Sequence, residues 1–134
     1  MKNIEHIGIA VKDLAEANKT YEALLGTASY KMEEVESEGV NTSFFKVGES
    51  KIELLGATRS DSPIAKFLEK RGEGIHHIAF NVEDIYAEMS RLQREGFVLL
   101  NAEPKKGADN KLVAFLHPKS SNGVLVELCQ EIAK

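Results

Sequence analysis

The 134-residue sequence contains a single cysteine, Cys129, so no disulfide can form within the chain. That residue lies in the apolar run VLVELC, a setting that suits buried filler better than a reactive thiol. No apolar stretch approaches the roughly 20 residues that a transmembrane helix requires. The opening MKNIEHIGIAVKDL lacks the long apolar segment of a secretory signal. Positive charge is not in excess either. Lys and Arg number 17 against 21 Asp and Glu, and the net charge of −4 argues against broad binding to nucleic acid or an anionic membrane, local basic patches aside. These absences point to a cytosolic protein. A hydrophobic fraction of 43% is ordinary for a globular chain, and the length fits one compact domain or two small halves sharing a core.

What the sequence does contain is an internal echo. The opening IEHIGIAV is similar to IHHIAFNV when Ile4 is laid on Ile75, and His6 then falls on His77, 71 positions on (77 − 6). The same offset carries Asp13 to Asp84, and each aspartate opens a helical pattern as an N-cap does. Glu16 follows Asp13 at capping-box spacing, while Gly26 and Gly96 stand where helix C-caps belong. Leu14, Ala17, Tyr21 and Leu24 form one apolar stripe; Ile85, Met89 and Leu92 form the other.

Strand-like segments follow each helix: ASYKMEEV, VNTSFFKVG and SKIELLG in the first half, FVLLN, KLVAFLHP and GVLVELC in the second. Gly48 with Glu49, and Ser121 with Asn122 and Gly123, supply turns. Glu53 in KIELL matches Glu127 in LVELC. The reading is α+β, a βαβββ module over about 1–57, a linker over about 58–73 with a short helix after Pro63, and a second module over about 74–134, all within one domain.

Strand alternation then sorts the side chains. His6 shares a face with Gly8 and Ala10, opposite Ile7, Ile9 and Val11; His77 shares one with Ala79 and Asn81, opposite Ile78, Phe80 and Val82. The bulky faces are expected against the helices and the small-residue faces around a concavity. His77, not its neighbour His76, is the counterpart of His6. Glu53 and Glu127 are flanked by apolar residues that would face the helices, which leaves both carboxylates on the concave side. A buried carboxylate is costly unless paired or coordinated. Two imidazoles and two carboxylates converging there suit a divalent cation. His76 and His117 read as a strand-end and a loop residue.

These residues resemble the vicinal oxygen chelate superfamily, which pairs βαβββ modules around a metal, and within it the methylmalonyl-CoA epimerase family. HIGIAV, GESKIELL, DSPIAKFLEKRGEGIHHIAFNV, KKGADNKLVAFLHPK and GVLVEL carry the resemblance over nearly the whole chain. It implies a half-open curved sheet with the helices outside, and one divalent ion per chain (Co, Mn, Ni, Zn or Mg) held by His6, Glu53, His77 and Glu127. In such proteins the Glu53 position can be Gln.

The implied substrate is methylmalonyl-CoA or a related malonyl thioester, and the implied reaction is inversion at its α-carbon through an enolate. Glu127 is then one proton-transfer group by resemblance, with Glu53, its partner in the repeat, the candidate for the second. Some members carry an acid on the second strand of the first half; GVNTSFF offers only Thr42, which is no base, and Glu36 and Glu38 sit nearby in a solvated loop. Lys111, His117 and Lys119, with Lys105 and Lys106, are either coenzyme A contacts or solvated surface. The resemblance also implies a homodimer. Two rival readings share the scaffold: a glyoxalase I-type lyase acting on a glutathione hemithioacetal, and a metal-free small-molecule binding protein. An extradiol dioxygenase, which needs a 2-His-1-carboxylate iron site, fits poorly with Glu53 as a fourth ligand.

Overall fold

A computed structural model of the chain describes residues 1–132. In chain order these form β1 (Asn3–Ala10), α1 (Leu14–Leu25), β2 (Lys31–Val35), β3 (Val40–Val47), β4 (Ser50–Ala57), α2 (Pro63–Arg71), β5 (Gly74–Asn81), α3 (Ile85–Arg94), β6 (Lys105–Lys106), β7 (Lys111–Leu116) and β8 (Val126–Glu131). Among the described residues no helix is long and apolar enough to cross a membrane. The backbone divides into two compact units, one over residues 6–76, the other made of residues 1–5 with those from 77 onward.

In the first of these units the strands run in the order β2-β3-β4-β1, antiparallel except for the parallel β1–β4 pair. Helix α1 starts because the Asp13 carboxylate accepts from Glu16 N–H, and it stops at Gly26, whose φ of 71° is left-handed. Leu14, Ala17, Tyr21 and Leu25 of α1 cover Ile9, Val11, Phe45, Ile52 and Leu54. The expected stripe ended on Leu24, which is 69% exposed; Leu25 takes its place. The two leucines lie about 50° to either side of the stripe's centre, so periodicity does not choose between them and packing does. The tight β3–β4 turn places Gly48 at φ 61° between paired Val47 and Ser50.

The linker helix was also legible: Ser62 caps it by accepting from Ala65 N–H, and Pro63 opens it. Its position departs from expectation. Ile64, Phe67 and Leu68 pack with Ala10, Val40 and Leu55, residues on the opposite strand face from the α1 contacts. The small-residue face of β1 is therefore capped by a helix at its Ala10 end.

In the other unit the order is β5-β8-β7-β6, again with one parallel pair, β5–β8. Asp84 caps α3, accepting from Tyr86 and Ala87 N–H, and Ile85, Met89 and Leu92 bury themselves against Val82, Ala114, Leu116 and Leu128. This helix closes on Glu95, one residue before the expected Gly96, which follows at φ 96°. FVLLN does not form a strand. It touches β7 through one isolated bridge, Leu99 to Leu116, and the Asn101 side chain accepts from Phe115 N–H, where a ladder carbonyl would otherwise sit. The two-residue β6 takes the rest of that edge, pairing Lys105 with Val113 and Lys106 with Leu112.

Candidate functional site

Each unit holds a buried imidazole–carboxylate contact. In the unit of residues 6–76, His6 Nδ1 lies 3.1 Å from Glu53 Oε2, with both side chains under a tenth exposed. Register explains how they meet. Glu53 stands beside Gly8 on β1 and beside Phe44 on β3, so its side chain rises between a residue with no side chain and a fully buried ring. That leaves room for it to lean toward His6, two residues along β1 on the same face.

The unit containing residues 77 onward repeats the arrangement. His77 Nε2 lies 3.0 Å from Glu127 Oε1, again with both groups buried. Glu127 stands beside Ala79 on β5 and beside Phe115 on β7, and the Phe115 ring meets His77 edge-on with centroids 6.1 Å apart. The Cys129 thiol, two residues further along β8, donates to Glu127 Oε2 at 3.0 Å.

The donor chemistry fits a divalent cation. Imidazole nitrogen and carboxylate oxygen are borderline and hard ligands that first-row divalent ions and magnesium accept. Two donors each about 2.1 Å from an ion and at right angles across it are about 3.0 Å apart. The contacts of 3.1 and 3.0 Å have that spacing, which also suits a simple imidazole–carboxylate hydrogen bond.

The other candidates separate from these pairs. His76 turns to the opposite strand face and meets Phe67 of α2 edge-on at 5.0 Å. His117 caps the turn over Pro118–Ser121, its Nδ1 accepting from Lys119 N–H at 3.1 Å. Lys111 begins β7 and His117 follows its end, about 20 Å away along the strand. Lys105 and Lys106 are exposed. Thr42 is buried on the Glu53 face, beside Leu55. Glu36 is exposed and Glu38 half-buried; both lie in a helical turn whose Glu36 carbonyl accepts from Arg59 Nη1 at 2.5 Å.

Sequence reasoning missed three neighbours of the acids: Phe44, Phe115 and Cys129 in its bonded role. The phenylalanines were within reach, because they too stand 71 positions apart and each is the cross-strand partner of a repeated glutamate. Cys129 carried no such signal, since the place two residues after Glu53 holds Leu55.

The family model described as Glyoxalase/Bleomycin resistance protein/Dioxygenase superfamily matches residues 5–115. The chain is 46% identical over 129 residues to a protein of Cereibacter sphaeroides named ethylmalonyl-CoA/methylmalonyl-CoA epimerase, covering 95% of this chain and 96% of that one. A variant of the Streptomyces coelicolor methylmalonyl-CoA epimerase solved with 2-nitronate-propionyl-CoA is 38% identical and superposes with a TM-score of 0.94 over 99% of both chains. A methylmalonyl-CoA epimerase solved with methylmalonyl-CoA and ammonium gives the same identity and TM-score, over 99% of this chain and 96% of that one.

Proposed function

The chain belongs to the Glyoxalase/Bleomycin resistance protein/Dioxygenase superfamily, and on that premise we propose that it interconverts the R and S forms of methylmalonyl-CoA by removing and returning the α-proton. One observation carries the reading. The buried histidine–glutamate contact recurs in both halves of a chain nearly half identical, end to end, to a protein named for this activity.

We further propose that the two modules work as one domain over 1–134 and that His6, Glu53, His77 and Glu127 together hold one divalent ion, with Co, Mn, Ni, Zn and Mg as the candidates. When bound, the ion supplies Lewis-acid stabilisation of the negative charge that develops as the proton leaves. The chain supplies the rest. Glu127 takes the α-proton on one face of the substrate, and Glu53, its partner in the repeat, returns one on the other. Burial keeps bulk water away from both carboxylates while the proton is being transferred. Lys111, His117 and Lys119 serve as contacts for the anionic coenzyme A tail. The enzyme acts as a homodimer in a reducing compartment, the cytosol, which suits its lone buried thiol.

The test is proton exchange. Metal-loaded protein incubated with methylmalonyl-CoA in deuterated water should incorporate deuterium at the α-carbon and erase optical activity. The same run across the metal series identifies the working ion. Turnover confined to the methylglyoxal–glutathione adduct would overturn the proposal in favour of a lyase.

A further inference from the structure

Cys129 is fully buried, and the reaction outlined above makes no use of it. Its place is nonetheless specific. On β8 it follows Glu127 by two residues and so shares its strand face. Around it are Ala79 and Val113, with Phe115 packed against the group, and a carboxylate oxygen of buried Glu5 lies within 4.8 Å of the sulfur. The sulfur lies 3.0 Å from Glu127 Oε2, close for a thiol, and the acceptor is a carboxylate, which strengthens a weak donor. The other carboxylate oxygen, Oε1, is the one beside His77 Nε2. The two oxygens of Glu127 therefore have different company. In the first module Leu55 occupies the matching place beyond Glu53 and carries no donor.

We propose that Cys129 is a positioning residue: its thiol holds Oε2 of Glu127 and fixes the carboxylate so that Oε1 is the oxygen presented to the reaction. The consequence for activity rests on the epimerase reading above; the thiol–carboxylate bond does not. It also makes the two repeated glutamates unequal. Glu127 has a thiol at i+2 on its own strand, where Glu53 is followed by Leu55.

The chain's only cysteine gives a clean probe. In the infrared spectrum of the full-length protein its S–H stretch should lie below that of a free thiol, and in Glu127→Gln it should move back toward the free position. In the proton-exchange assay Cys129→Ala should lower kcat about tenfold, the equivalent of one hydrogen bond to a charged group, with KM within about twofold. Cys129→Ser restores an O–H donor and should recover kcat to within about threefold of the parent, even if its circular dichroism and melting point match those of the alanine variant. A free-thiol band, a band indifferent to Glu127→Gln, or a serine variant no better than alanine would each overturn the proposal. If the parent shows no exchange on methylmalonyl-CoA, the epimerase reading fails, and the band position still decides whether the thiol holds the carboxylate.

Discussion

Glu127 and Glu53 are the residues to which the proposal gives proton transfer, and both are buried acids set between a small residue and a phenylalanine. Replacing Glu127 by Gln keeps the volume while removing the charge and with it the proposed base. Turnover should fall by about 10²- to 10⁴-fold, the usual worth of a positioned proton-transfer group, with the melting curve little changed. Near-normal turnover would remove Glu127 from the mechanism. The double histidine gives a second test. His76 packs on Phe67 and His77 on Glu127, so His76→Ala should keep metal affinity and His77→Ala should weaken it strongly in a direct ion titration. The opposite outcome would mean that the wrong imidazole had been assigned to the ion.

At the scale of elements, the repeat was legible because it is written in residues that backbone geometry cares about. Asp13 and Asp84 cap their helices as expected, the Gly48 turn forms, and alternation put His6 with Gly8 and His77 with Ala79 on the faces that carry the acids. What escaped the sequence was decided by tertiary contacts. FVLLN has strand composition, yet the Asn101 side chain takes a ladder position and leaves it irregular. The choice of Leu25 over Leu24 and the side on which α2 packs depend on neighbours distant in the chain. Packing should also rank the helices by their response to truncation. Ile85 of α3 is fully buried, so Ile85→Ala should cost about 2–5 kcal/mol in chemical denaturation, whereas Leu24→Ala on α1 should cost under about 0.5 kcal/mol. The exposed rim of α3 adds a pH term. Arg91, with the chain's amino group, holds the Glu88 carboxyl below its ordinary range. Its stabilisation is present above the unfolded carboxylate range and is lost as pH falls through the lowered folded value. Arg91→Ala should therefore raise the Glu88 midpoint by NMR, and its stability deficit should vanish in acid.

For the molecule as a whole, the proposed ligand set draws one histidine and one glutamate from each repeat. Two protein ligands alone make a weak site and four a strong one, so occupancy should depend on both halves of the sequence. Binding to the folded state alone stabilises it by mass action, about 2.7 kcal/mol at a hundredfold excess over Kd. For a chain of this length that corresponds to a rise in Tm of roughly 10 °C. Titration with Co²⁺ or Mn²⁺ should saturate at one ion per chain, and His6→Ala and His77→Ala should each abolish most of the thermal shift. Two independent sites, one per repeat, would behave otherwise: saturation at two ions, and about half the shift surviving in each single variant. That pattern would leave the histidine–glutamate contacts intact as structure while removing the single ion on which the proposed chemistry depends.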